Sequence, residues 1–269
     1  MTRSLKSLLG FLTIIPVRGS LEEAADSFHW APLVTGFREA LTGLVLTASV
    51  VLGLPPMVSA SLAFAAHLLL QGMHHFDGLL DAGEALIAAR AGRDPLSIMR
   101  DRHRGGFAVG VGVAYGLLVW SLLAQLAGVG ERLGTHLAGV LALVVAGAVS
   151  SAGMCAALHL LSPPPYQGLG LLFKKRLSRA RVMEALALPS LITMGLILLV
   201  RLSTPSDVEP WFLEVLLIAG LGGGYLTTLV AVAIARRGIG YATGDVAGMV
   251  GELVFAGSLL ASAVYLGVG

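Results

Sequence analysis

Residues 57–90 read MVSASLAFAAHLLLQGMHHFDGLLDAGEALIAAR, and this stretch decides how the rest of the chain is interpreted. The part from 57 to 73 contains no acidic residue, lysine or arginine, which is typical of a helix inside a membrane. From position 74 onward the same stretch carries histidines and carboxylates. We therefore expect a helix that continues from the bilayer directly into a charged motif.

The charged motif places its acids on one side of a helix. Asp77, Asp81 and Glu84 follow one another at spacings of four and three. Each helical residue turns about 100°, so the three carboxylates fall within roughly 60° of arc, with His74 beside them. Acids on a mostly buried helix are costly unless a cation neutralises them, and a divalent metal suits carboxylates. The alternative is a water-exposed first turn beyond a span.

The composition indicates an integral membrane protein. Of 269 residues, 56% are hydrophobic and 13% are charged, with a mean hydropathy of +0.84. Soluble domains carry about 25% charged residues. The 35 glycines are typical of closely packed membrane helices. A net charge of only +2 gives no electrostatic support for a nucleic-acid partner.

The apolar segments predict an all-α fold, a polytopic bundle of about seven transmembrane helices in a single domain over residues 1–269. Residues 4–17 are too short for a span because Pro16 ends the apolar run, so we expect an interfacial or re-entrant helix there. The seven predicted segments cover about 31–54, 57–73, 106–128, 135–161, 186–202, 211–235 and 246–268.

Lysine and arginine collect in alternate connections, which the positive-inside rule assigns to the cytoplasm. The basic connections are 90–105, 174–181 and 236–244, together with the N-terminal residues Arg3, Lys6 and Arg18. The connections near 55, 131 and 207 are poor in basic residues. We therefore expect the N-terminus and the charged motif in the cytoplasm, and the C-terminus outside.

A second acidic pair, Asp245 and Glu252, lies seven residues apart and so on one helix face. Both acids are candidates for extending the metal or substrate site. Alternatively, Glu252 is neutral or pairs with Arg38 for packing, because an unpaired charge two turns into a span is costly. Gly244 and Gly248 permit close approach of the backbone to a ligand or to another helix.

Arginines between the acids and the next span are candidate phosphate ligands. Arg100, Arg102 and Arg104 precede Gly105, whose backbone a phosphate could approach closely. The same arginines also serve as topology anchors, and the sequence does not separate the two roles. His75, next to the acids, is a candidate ligand or proton acceptor.

Three motifs together resemble the cobalamin-5′-phosphate synthase family, also called adenosylcobinamide-GDP ribazoletransferases. The motifs are His75-Phe76-Asp77-Gly78-Leu79-Leu80-Asp81, then Ile98-Met99-Arg100-Asp101 with Gly105, then Thr243-Gly244-Asp245-x-x-Gly248-x-x-x-Glu252. Further similarity covers Phe11-Leu12-Thr13-x-x-Pro16-Val17, Pro32-Leu33-Val34 and Gly168-Leu169-Gly170. The resemblance extends over nearly the whole chain.

The resemblance implies an Mg²⁺-dependent transferase of the cell membrane. Adenosylcobinamide-GDP would react with α-ribazole or its 5′-phosphate, giving adenosylcobalamin or its phosphate and GMP, the last step of nucleotide-loop assembly in cobalamin biosynthesis. The resemblance does not decide whether the protein forms a homo-oligomer. The implied catalytic residues are Asp77, Asp81, His75 and Arg100. From the residues and the resemblance together, the candidate substrate-binding residues are Arg102, Arg104, Gly105, Thr243, Gly244 and Gly248. The candidate metal ligands are Asp77, Asp81, Asp101, Asp245 and Glu252, which match acids of the family, together with Glu84, which shares the helix face of Asp77 and Asp81.

The chain departs from the family pattern at four places. Glu84-Ala85 stands where the family usually has Asp-Gly, and Ser150-Ser151 where it has Ser-Arg. Residues 102–105 read Arg-His-Arg-Gly in place of Ser-Arg-x-Gly. Arg38-Glu39 falls where the family is normally apolar and glycine-rich. These changes leave the expected fold intact and bear on metal geometry and phosphate contacts.

Two other functions remain as alternatives. A lipid enzyme that moves a phospho-alcohol from a CDP donor uses similar helix-borne acids, although its Asp-Gly-x-x-Ala-Arg signature is not met because Leu80-Asp81 replaces Ala-Arg. A cation or proton transporter should carry acids near the middle of several spans. The acids here gather at one end of the predicted spans, apart from Glu252, which favours chemistry on a cytoplasmic substrate.

Overall fold

The computed structural model describes residues 2–101, 103, 105–133, 137–203 and 211–268. In this part of the chain twelve α-helices and a 3₁₀ turn, Phe28–Trp30, form the fold. The helices are α1 Thr2–Leu12, α2 Leu21–Asp26, α3 Ala31–Val51, α4 Pro56–Leu70, α5 His74–Arg90, α6 Pro95–Met99, α7 Gly106–Leu133, α8 Leu137–Leu160, α9 Leu169–Arg176, α10 Arg179–Ser203, α11 Trp211–Gly238 and α12 Gly244–Val268.

Six helices are long and apolar enough to cross a membrane, and the pair α4 and α5 counts as a seventh if it forms one broken span. The all-α, polytopic membrane fold is therefore confirmed. The six are Phe28–Val51, Gly106–Gly128, Leu137–Leu160, Arg179–Ser203, Trp211–Gly238 and Gly244–Tyr265. The connection near 207, predicted to lie outside, falls within 204–210, which are not among the described residues.

The prediction of a helix that continues through position 73 is wrong. The chain breaks between α4 and α5 and bends by 90°. Gly72 and Met73 both adopt left-handed backbone conformations, with φ of +66° and +59°. Their N–H groups donate to the carbonyls of Leu69 and Leu68, at 2.9 and 3.0 Å, which closes the helix end in the usual glycine-capped manner. The break turns α5 across the bundle.

Two segments predicted as loops are short helices. The basic connection 90–105 contains α6, whose N-cap Asp94 accepts hydrogen bonds from the backbone of Leu96 and Ser97 at 3.3 and 3.0 Å. An Asp-Pro start of this kind is a recognised helix signal. Residues 168–170 read Gly-Leu-Gly, a pattern typical of a turn, but they form the start of α9, with Gly168 as its N-cap.

Helix α8 is the centre of the bundle and α10 lies at its edge. In the apolar window of α8, 89% of residues are buried, against 22% in α10. Helices α3, α10, α11 and α12 surround α8. Because small residues such as Ala146 and Gly147 line α8, its neighbours pack close to its backbone. This packing fixes α12, which carries one half of the candidate site.

Candidate active site

The first turns of α5 and α12 touch, which brings acids from opposite ends of the sequence together. A Cβ atom on Gly78 would lie only 2.8 Å from the backbone oxygen of Asp245, so only glycine permits this contact. Asp77 and Asp245 both line a cavity of about 230 Å³, together with His74 and His75. The sequence predicted these residues individually, and the structure places four of them at one cavity.

Three aromatic side chains also line the cavity. The ring of Phe11, from α1, stacks on Phe173 of α9 with centroids 4.8 Å apart. Phe28 meets the same Phe173 ring edge-on at 4.7 Å. The sequence does not point to these three residues as part of the site, because they lie on separate elements and only the region around Phe11 is similar to the family. The cavity lining therefore combines carboxylates with a cluster of aromatic rings.

The N-terminus of α12 opens onto the cavity. Thr243, which is buried, caps the helix by accepting a hydrogen bond from the backbone of Val246 at 3.1 Å. Gly244 lines the cavity, and a Cβ there would meet nothing nearer than Leu169 at 4.0 Å. A helix N-terminus with accessible backbone N–H groups favours anions such as phosphate. Thr243 thus caps the N-terminus of α12, and Gly244 leaves the backbone of this N-terminus accessible to an anion in the cavity.

Gly248 serves helix packing. A Cβ atom there would lie 3.0 Å from the carbonyl oxygen of His75 and 3.1 Å from its Cα. Of the two alternatives that the sequence left open for this glycine, close approach to another helix is the one observed. By fixing the distance between α12 and α5, Gly248 also places buried His75 in the cavity wall.

Asp81 and Glu84 lie further along α5 and outside the lining of the cavity. Asp81 is buried. Glu84 accepts a hydrogen bond from the backbone N–H of Gly105 at 3.2 Å, and a Cβ at position 105 would collide with its carboxylate. Gly105, predicted to contact phosphate, thus directs its N–H to Glu84. The contact ties α5 to the segment before α7.

Asp101 is exposed and is not part of the cavity lining. Its carboxylate accepts hydrogen bonds from the backbone N–H of His103 at 2.9 Å and lies 3.1 Å from the ring nitrogen of the same residue. The bond from the His103 backbone lowers the pKa of the Asp101 carboxyl. Arg102 and Arg104, predicted to bind substrate, lie outside the described residues.

Arg100 reaches a residue that the sequence analysis did not identify. Its guanidinium lies 3.8 Å from the ring centroid of Tyr166, a cation–π contact. Burial, and then the charge of Asp245, raise the pKa of Tyr166, while Arg100 opposes the shift. Tyr166 follows three prolines, Pro163 to Pro165, in a loop joined to the α12 approach by a bridge between Ser162 and Tyr241. Arg100 and Tyr166 thus stand close to the acidic end of α12.

Glu252 belongs to a separate, fully buried cluster. Its carboxylate accepts a hydrogen bond from the hydroxyl of Tyr115 and lies 3.3 Å from a ring nitrogen of His67. The other ring nitrogen of His67 lies 3.0 Å from Glu39, and Arg38 donates to Glu39 at 2.8 Å. Pairing of Glu252 inside the bundle was the expected alternative to a metal role, although its partners are His67 and Tyr115 and not Arg38.

The six acids proposed as metal ligands do not form one cluster. Among the described residues no group of three or more His, Cys, Asp or Glu side chains is arranged to hold a metal ion by itself. Asp77 and Asp245 nevertheless fit Mg²⁺, which is usually bound through one or two carboxylates plus water and substrate phosphates. Metal binding by all six acids stays a prediction.

Comparison with known proteins decides the family. The profile described as cobalamin-5-phosphate synthase matches residues 4–263. The chain belongs to the cobalamin-5-phosphate synthase family. The resemblance drawn from the three motifs is thus confirmed, and the lipid-enzyme and transporter alternatives are left without support. No solved structure matches the chain.

Individual proteins similar to this chain agree with its membership of the cobalamin-5-phosphate synthase family. A protein of Bradyrhizobium diazoefficiens named adenosylcobinamide-GDP ribazoletransferase is 32% identical over 98% of this chain and 94% of its own length. One of the same name from Archaeoglobus fulgidus is 28% identical over 97% of both chains. A third, from Desulfitobacterium hafniense, is 38% identical, and there the match spans 46% of this chain and only half of that relative's length.

Proposed function

We propose that the protein transfers the adenosylcobinamide-phosphate group of adenosylcobinamide-GDP to α-ribazole or its 5′-phosphate and releases GMP. Family membership supports the reaction class and both substrates. The observation that carries the proposal to particular residues is the contact at Gly78, because it places Asp77 and Asp245 on one cavity. Two carboxylates beside an open helix N-terminus suit a substrate whose reactive part is a diphosphate.

In the proposed reaction the ribazole hydroxyl oxygen attacks the phosphorus nearest the cobinamide. A new P–O bond forms between the hydroxyl oxygen and this phosphorus. The bond from the same phosphorus to the oxygen that bridges the two phosphorus atoms breaks, and GMP leaves with the bridging oxygen. The exposed backbone at Gly244 would hold the phosphate oxygens at the positive end of α12. Arg100, close to Asp245 through Tyr166, would add a cation on the same side.

Asp77 and Asp245 are the residues proposed to hold Mg²⁺. The ion, when bound, supplies charge neutralisation of the diphosphate and of the departing GMP. The hydroxyl proton needs an acceptor at the cavity. His75 lines the cavity and its backbone is fixed against Gly248, so we assign its ring nitrogen as the proton acceptor.

We infer that the protein lies in the cell membrane with the N-terminus and the cavity in the cytoplasm and the C-terminus outside. The support is the concentration of basic residues in alternate connections. A cytoplasmic cavity also suits a reaction that releases a nucleotide. Single cysteines at positions 18 and 237 of cysteine-free protein test this orientation. If both positions are cytoplasmic, a membrane-impermeant thiol label should not attach to either of them in intact cells.

The reaction is tested by incubating purified protein with adenosylcobinamide-GDP, α-ribazole and Mg²⁺ and measuring GMP. The variant Asp77→Asn should lower the rate about a hundredfold or more, since metal charge stabilisation amounts to several kcal/mol. Glu22→Gln, which removes an exposed acid of α2, is the matched control and should release GMP at the wild-type rate. Wild-type rates in Asp77→Asn would contradict the proposal.

A further inference from the structure

Two apolar grooves flank the last turns of α11. The first, between α8, α10 and α11, has a volume of about 1030 Å³ and is lined by Leu160, Leu186 and Leu229. It ends at Arg236 and Arg237, near the C-terminal end of α11. We call it the α10–α11 groove. The α10–α11 groove has cations at one end, and in this it differs from the cavity described above, which is lined by carboxylates.

The second groove lies on the other side of α11. It has a volume of about 750 Å³, is formed by α5, α7, α11 and α12, and includes Ile87, Ile234 and Leu253 in its lining. We call it the α5–α11 groove. Its charged residues are Arg90, near the end of α5, and Arg237. Arg237 therefore lines both grooves, which meet at this guanidinium.

Within the described part of the chain, neither Arg236 nor Arg237 forms an ion pair with a carboxylate. Both side chains are exposed. Apolar residues of the same helix are exposed beside them, with Leu229 70% and Leu226 64% accessible. Because such surface on a membrane-spanning helix faces lipid, the two arginines stand where lipid headgroups lie.

Polar contacts join α10 and α11 in the wall of the α10–α11 groove. The hydroxyl of Tyr225 donates to the carbonyl of Leu186 at 2.5 Å and lies 3.0 Å from Ser190. Pro189 lies in the same turn of α10 and has no backbone N–H, so one hydrogen bond of the helix is missing there. The contact with Tyr225 stabilises α10 at this place. The two helices that form this wall are therefore hydrogen-bonded to each other.

We propose that this end of α11 binds one anionic phospholipid, with its phosphate on Arg236 and Arg237 and one acyl chain in each groove. The two unpaired cations select a negative headgroup, and the two grooves that meet at Arg237 match a lipid with two chains. An uncharged lipid would leave the arginines without a partner, and a soluble anion would leave both grooves without an occupant.

The proposal is tested by lipid retention in native mass spectrometry of the purified full-length protein. Phosphatidylglycerol and phosphatidylethanolamine with identical acyl chains are supplied in equal amounts. The wild type should retain phosphatidylglycerol preferentially, and the double variant R236Q/R237Q should weaken this binding about fivefold for each arginine removed. The control R18Q/K175Q removes two exposed cations elsewhere and should bind like the wild type.

A second variant tests the grooves with both arginines intact. Ala233 is exposed and lines the α10–α11 groove, so Ala233→Trp should fill the groove without disturbing the core and should lower phosphatidylglycerol retention. Equal retention of the two lipids, wild-type retention by R236Q/R237Q, or displacement of the lipid by glycerol phosphate would overturn the proposal. So would a dimer that R236Q/R237Q abolishes, since a second copy would then be the occupant. None of these outcomes bears on GMP release.

Discussion

Two pairs of acids from distant parts of the chain are accommodated in opposite ways. Asp77 and Asp245 line an open cavity at the meeting point of two helix N-termini. Glu39 and Glu252 are fully buried on either side of His67. Acids on membrane helices are functional candidates by default. The comparison shows that acids on membrane helices occur here in two environments. One pair reaches a cavity and forms the candidate site, whereas the other pair is surrounded by side chains of the bundle and forms a structural cluster.

The largest effect on stability should follow from Glu252→Ala. The change leaves His67 and Tyr115 buried without their shared acceptor, and breaking a buried pair typically costs about 3–5 kcal/mol. Unfolding in mild detergent should therefore occur at a clearly lower denaturant concentration. Leu260→Ala, on the exposed side of the same helix, is the control and should stay within about 0.5 kcal/mol of the wild type.

The same variant decides between the two roles given to Glu252. If it is part of the structural cluster, GMP release per folded molecule should remain far above that of Asp77→Asn. A variant that unfolds like the wild type yet releases no GMP would instead place Glu252 among the metal or substrate residues, as the family resemblance implies.

An intermediate effect is expected for Gly78→Ala. A methyl group there would press on the backbone of Asp245, and overpacking of this kind costs about 1–3 kcal/mol. Displacing the two acids should also lower GMP release by about tenfold to a hundredfold. Gly110→Ala on α7 is the matched control, because nothing lies within 4 Å of its added methyl. Equal activity in the two variants would show that the contact at Gly78 does not define the site.

The smallest effect should come from Glu84. If its role is to hold Gly105, Glu84→Ala should lower the free energy of unfolding by about 1 kcal/mol, the value of one lost hydrogen bond, and should leave the KM for adenosylcobinamide-GDP close to that of the wild type. Glu84→Gln keeps an acceptor oxygen and should restore most of this stability. A Gln variant as impaired as the Ala variant, with a higher Mg²⁺ requirement, would instead support the metal-ligand prediction.

The sequence predicted the helices well because a membrane helix must be long, apolar and internally hydrogen-bonded. It did not predict the 90° break at Gly72 and Met73. Residues 57–73 are uniformly apolar or uncharged and contain no proline after position 56. The only local sign was Gly72 at a possible helix end. Hydropathy alone cannot separate a straight span from one that turns, because both bury the same side chains.

The candidate site was predicted as a set of residue types and not as an arrangement. Spacing placed Asp77, Asp81 and Glu84 on one helix face, but it could not show that α12 would meet this face at Gly78. Glu252 lies 185 residues from His67, so their contact has no local signature. Tyr166 and Phe173 have no motif around them that separates a cavity wall from an ordinary loop.

The most direct test of the central claim, that Asp77 and Asp245 form one site, is a double-mutant cycle on GMP release. Rates are measured for Asp77→Asn, Asp245→Asn and the variant carrying both changes, with unfolding in detergent as the control for intact structure. Groups that act as a unit are strongly non-additive, so the double variant should be scarcely slower than the slower single variant. If the two losses multiply, the acids act independently, and the claim of a shared site is contradicted.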